Sequence, residues 1–174
     1  DFSIEAQMKD LQAVVDALRL DRFALFGRMH GSPLAVTYAA RFAERVTHLI
    51  LTIPYARGLD LEPYYETLGV KPNHNMTARH WERYTRTLAH ATFNFLPHPS
   101  AAALAESFRE SMTPASYMAF LSWRAEIDVT STLKEVHVPT LILSRRTKAR
   151  QLTEIRVAEG ITGTTLVSTD ASGV

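Results

Sequence analysis

The chain has 174 residues, 46% of them hydrophobic, which suits one folded domain with a real core. Its 19 basic side chains nearly balance 18 acidic ones, and neither sign forms a block, so nucleic acid and membrane are not expected partners. Cysteine is absent, which excludes disulfides and thiolate metal sites; with no bilayer-length apolar run and no signal-like opening, the expectation is a cytoplasmic protein without a cofactor.

In chain order, Ser3 is the predicted N-cap of a helix through Leu20, with Ile4, Met8, Leu11, Val15 and Leu18 on one apolar face that should lie on a sheet. Residues 23–26 form a short apolar run, the pattern of a strand buried on both faces of a parallel sheet, which Gly27 stops. Pro33 opens a helix over residues 33–42, with Leu34, Tyr38 and Phe42 at helical spacing, and the apolar run Leu49, Ile50, Leu51 is a second buried strand. A right-handed βαβ unit follows from that order.

Pro54 ends the second strand, and residues 55–136 read as helical. Asn75 is the expected cap of a helix carrying Trp81, Tyr84, Leu88 and Thr92. Pro99 and Ser100 open another with Leu104, Phe108 and Met112, and Pro114 opens a third with Tyr117, Phe120, Leu121 and Trp123. An aromatic stripe at this spacing is ordinarily core; the functional reading makes Trp81 and Trp123 ligand contacts. Sheet-like rhythm returns with a strand from Val136 to Leu143 entered through Pro139, a short helix over residues 152–160 ended by Gly160, and a strand over residues 164–168.

Three passages carry a family resemblance: Gly27, Arg28, Met29, His30 and Gly31; the phrase LQAVVDALRLDRFALFG before them; and EIDVTSTLKEVHVPTLILSRR near the end. They resemble the α/β-hydrolase family, whose nucleophile elbow reads G-x-S-x-G at a sharp strand-to-helix turn. The resemblance implies an α/β fold: a partial hydrolase-like parallel sheet of about four strands, with helices on both faces and a helical cap insertion. Residues 1–54 and 137–174 would form the core and residues 55–136 the cap, with a pocket between the two layers. The family's earlier strands are missing, which leaves the elbow strand as an unprotected edge that pairs with another chain, unless this chain is a piece of a longer protein.

In active relatives a serine, an acid after the third of these strands and a histidine after the fourth form the triad. The resemblance puts Met29 at the nucleophile position, Lys148 or its neighbour Thr147 at the acid position and Val174 at the histidine position. A thioether cannot carry out acyl transfer. Ser32 and His30 are the rescue candidates, although Ser32 also reads as an N-cap and His30 as a packed or surface histidine. The expected function is therefore a hydrolase-like domain that has lost catalysis and binds a ligand or partner. Arg28, Met29, His30 and Gly31 would hold a small apolar or anionic ligand at the positive end of the elbow helix, helped by Trp81 and Trp123. The alternatives are an active carboxylic-ester hydrolase and a structural subunit, a homo-oligomer assembled through the elbow-strand edge or held by an attached domain. Arg145 and Arg146 read as a solvated pair or as an anion contact, and the histidines show no metal-ligand spacing.

Overall fold

The computed structural model describes residues 2–67, 77–93, 95–145 and 148–169. It divides into two compact units, Asp1–Leu61 with Trp123–Val174, and Glu62–Ser122. Residues 55–61 and 123–136 fall in the first unit.

In the first unit, helix α1 (Ile4–Ala17) starts where the Ser3 hydroxyl accepts the Ala6 N–H at 3.2 Å. It stops earlier than its apolar spacing predicts: Leu18 caps it and is 63% exposed, and the backbone turns left-handed at Arg19 (φ 51°). Met8 and Val15 are the buried residues of its apolar face. That face packs chiefly on helix α2 (Ser32–Arg41) rather than on the sheet, with Tyr38 donating to Gln12 at 3.0 Å and Arg41 forking onto Glu5 at 2.7 and 3.0 Å.

Four parallel strands, β1 (Phe23–Arg28), β2 (Val46–Thr52), β3 (Thr140–Arg145) and β4 (Thr165–Thr169), lie side by side in chain order. Gly27 does not stop β1; the strand runs through it. A Cβ there would stand 2.7 Å from Ala35 Cβ and 2.9 Å from Leu51, so the missing side chain lets α2 sit close on the sheet. β3 begins at Thr140, later than predicted: Val136 and Val138 are buried in the irregular approach, and Pro139 enters the ladder by accepting the Leu49 N–H at 2.9 Å.

The register aligns Gly27, Leu51, Ile142 and Leu166 on one face, and strand alternation adds Ser144 to it. Ala35 of α2 meets this face at Gly27, and Glu154 of helix α7 (Lys148–Gly160) meets it at Ser144, so both helices cover the same side. Sequence reasoning expects β1 buried on both faces. The opposite side carries Phe26, Ile50 and Leu141 in register, and Phe26 is 56% exposed. An unbroken apolar run says that side chains avoid water, not that a helix covers each face.

After β2 the chain pairs with a much later segment. Gly58 N–H donates to Ile127 O and Val129 N–H to Ala56 O, both at 2.9 Å, and Arg57 bridges to Asp128. Gly58 lies so close to the Arg124 backbone that a Cβ would fall 1.6 Å from the Arg124 carbonyl oxygen. Residues 127–136 therefore belong with the sheet: Val129, Leu133 and Val136 are buried, and Leu133 lies where a side chain on Gly160 would go. Gly160 is the last residue of α7, retained for that close approach rather than for a left-handed cap.

The second unit holds α3 (Glu62–Thr67), α4 (Ala78–Thr92), α5 (Ala101–Ser111) and most of α6 (Pro114–Glu126). Thr77 is the N-cap of α4, accepting the His80 N–H at 3.3 Å; Asn75, the predicted cap, lies outside the described residues. Trp81, Tyr84 and Tyr117 form the buried centre, with Leu88, Met112, Phe120 and Leu121 packed around it. Among the described residues no helix is long and apolar enough to cross a membrane.

Candidate functional site

The strand-to-helix turn at the end of β1 is built from the glycine of β1 and a strained residue. Where β1 ends, Met29 takes φ +49°, a left-handed conformation uncommon for a residue with a side chain. A single turn over Met29–Gly31 leads into α2, whose first turn accommodates Pro33. Gly31 has open space where its side chain would be, so the two glycines of the motif differ: Gly27 answers a steric demand and Gly31 does not.

Ser32 is fully buried. Its hydroxyl donates to Met29 O at 2.6 Å and accepts the Tyr55 N–H at 3.3 Å, so it pins the turn to the end of β2. The N-cap of α2 is Gly31, and Ser32 is the first residue of the helix. His30 Nδ1 lies 3.1 Å from the hydroxyl of buried Tyr55, with the two rings edge to face. Burial pushes its pKa down to about 4, and the positive charge of Arg124 adds to the shift, so the imidazole is neutral at pH 7. Arg124, itself buried, donates to Gly58 O at 3.0 Å. Arg28 is exposed at the end of β1.

Lys148 is the first residue of α7, and Val174, Arg146 and Thr147 lie outside the described residues. The buried carboxylate near the end of β3 belongs to Glu154, which accepts a hydrogen bond from the buried Ser144 hydroxyl. Sequence reasoning missed it. The signal was its phase: Glu154, Val157 and Ile161 recur at helical spacing, and all three are buried. Among the described residues no three metal-ligating side chains converge.

The two tryptophans fall in different units. Trp81 stacks on Tyr84 at 6.0 Å and meets Tyr117 at 5.4 Å, inside the helical core, where the Tyr84 and Tyr117 hydroxyls are 2.9 Å apart. Trp123 is half-buried beside Phe2, with ring centroids 6.1 Å apart.

No protein-family model matches the chain, and no curated protein matches its sequence. Solved structures do. The enol-lactonase from Burkholderia xenovorans LB400 superposes with a TM-score of 0.75 at 18% identity, over 97% of this chain and 65% of its own. The meta-cleavage product hydrolase from Pseudomonas fluorescens IP01 gives 0.71 at 20% identity, over 98% and 64%. An alpha/beta fold family hydrolase from Bacillus anthracis str. Sterne gives 0.62 at 18% identity, over 95% and 66%. The chain spans 64–66% of the length of these three structures. With its four parallel strands and its sharp turn into α2, this chain carries part of the α/β-hydrolase fold.

Proposed function

We propose that this chain is a hydrolase-fold protein that has lost acyl-transfer chemistry and uses its elbow to bind a ligand. One observation carries the reading: the backbone at Met29 holds a left-handed φ of 49°, the strained conformation of an elbow, under a side chain that has no proton to lose and cannot attack a carbonyl. Ser32 gives no rescue, since its buried hydroxyl is engaged by Met29 and Tyr55. His30 is held by Tyr55. Exposed Arg28 and the first turn of α2, which has no side-chain cap, favour a carboxylate or other small anion as the ligand.

The test is hydrolysis of short-chain activated esters by the protein, by Ser32→Ala and by a boiled control. No turnover above the control is expected. Turnover that disappears in Ser32→Ala overturns the reading in favour of a carboxylic-ester hydrolase. Binding is then read as a rise in melting temperature with small carboxylates, lost in Arg28→Gln.

A second reading, assembly with a partner or a second copy, draws on β1 standing at the end of the sheet with Phe26 56% exposed. Sedimentation of the protein and of Phe26→Lys tests it: a dimer that the substitution dissociates supports assembly, and a monomer in both removes it.

A further inference from the structure

Within the helical unit, a cavity of about 420 Å³ opens along α4 and α5, lined by side chains that no part of the elbow reading uses. Its volume falls in the range of small-molecule sites, roughly 300–1,000 Å³. Short side chains make the space: Ala101, Ala102 and Ala105 form one wall along α5. The chemistry comes from Arg86 and Arg109, two guanidiniums against the single carboxylate of Glu106, and from His90 and His98.

Two of these groups are held in place before any ligand arrives. Thr85 is fully buried, and its hydroxyl lies 3.0 Å from the Trp81 carbonyl, to which it donates. Its oxygen thereby accepts Arg109 Nη1 at 3.1 Å. That bond occupies one of the five guanidinium donors and anchors the Nη1 end of the group. His98 stacks flat on Phe93, with centroids 3.8 Å apart and planes 4° apart. Its Nδ1 takes the Ser100 N–H at 3.2 Å, which requires a lone pair on Nδ1 and puts the ring proton on Nε2. His98 therefore offers an N–H donor from a ring that two contacts immobilise. Arg86 is less constrained: its ion pair with Glu82 at 2.9 Å is largely exposed, and exchanging it for a better anion costs little.

We propose that this cavity binds the phosphoryl group of a small molecule. Donors on α4, on α5 and on the connection between them suit a group with several acceptor oxygens around one centre better than they suit a carboxylate, whose two oxygens lie in one plane. The alanine wall leaves room for the organic part of a phosphate ester.

The test titrates the full chain with inorganic phosphate, phenyl phosphate and acetate at constant ionic strength, following the His98 imidazole by NMR. Phosphate is expected to perturb His98 saturably, phenyl phosphate to bind more tightly, and acetate to bind more weakly than either. Arg109→Gln should weaken phosphate by roughly tenfold or more, the usual effect of losing a charge-assisted bond. Because Arg109 also packs against Thr85, Arg86→Gln is the second variant; its side chain is exposed, so the fold is kept, and a loss of about threefold is expected, as for a solvent-exposed charge. The proposal is overturned by a His98 signal that phosphate leaves unmoved, by phosphate affinity that stays at the native value in both variants, or by acetate binding as tightly as phosphate. Its readout is separate from ester hydrolysis, so its failure and that of the elbow reading are distinguishable.

Discussion

The sheet unit and the helical unit are held together in different ways. In the sheet unit, backbone passes close to backbone or to a core side chain: α2 over Gly27, the Arg124 carbonyl over Gly58, Leu133 over Gly160. In the helical unit, rings fill the centre, with Trp81, Tyr84 and Tyr117 sharing it and Leu88 and Phe120 closing its edges. A contact between backbones has no side chain that can rotate away, whereas a cluster of rings repacks. The sheet unit should therefore fail on the addition of one methyl group, and the helical unit should accept exchanges that conserve volume.

The sharpest test is Gly58→Ala, which puts a methyl 1.6 Å from the Arg124 carbonyl oxygen. Urea unfolding should show a loss of ~3 kcal/mol or more, and a loss under 1 kcal/mol breaks the comparison. Next comes acid. Burial holds the His30 pKa near 4, below the ordinary value of 6.5, so the unfolded chain binds this proton more readily than the folded one. The associated stability, on the order of 3 kcal/mol, is complete above pH 6.5 and is lost as pH falls through 4. Unfolding midpoints at pH 7.5, 5.5 and 4 should fall less steeply in His30→Gln than in the native chain; parallel curves remove His30 as the cause.

Gly27→Ala meets Ala35 and Leu51 at 2.7 and 2.9 Å, side-chain atoms that yield slightly, and should cost about 2 kcal/mol. In the helical unit, Tyr84→Phe keeps the ring and loses the hydroxyl that faces Tyr117 at 2.9 Å, for about 1 kcal/mol by thermal unfolding. If Tyr84→Phe costs more than Gly27→Ala, the contrast between the units is reversed. The smallest effect has the opposite sign. Met29→Gly relieves the left-handed φ of 49° and should leave stability unchanged or raise it by up to about 1 kcal/mol, showing how much strain the elbow stores.

Several features of the fold were legible before the structure. The Ser3 cap, the helices that follow Thr77, Ser100 and Thr113, and four apolar strands all come from local stereochemistry and periodicity. The boundaries that moved did so for tertiary reasons. β1 continues through Gly27 because β2 supplies ladder partners to its end, and β3 starts late because Val136 and Val138 are buried outside the ladder. Of the candidate site, the turn residues could be named from their motif. The burial of Ser32 could not, since it depends on Tyr55, 23 residues away. The role of Arg124 was equally hidden, as its bond to Gly58 spans 66 residues.

What the sequence by itself determined is the order and kind of the elements, and that the residue at the sharp turn is a methionine, because both are properties of neighbouring residues. Only the tertiary structure decided which side of the sheet the helices cover, that Ser32 is a fastening rather than an accessible hydroxyl, and that Arg86, His98 and Arg109 share a cavity. Each of these depends on distances between residues far apart in the chain, and no local period encodes such distances.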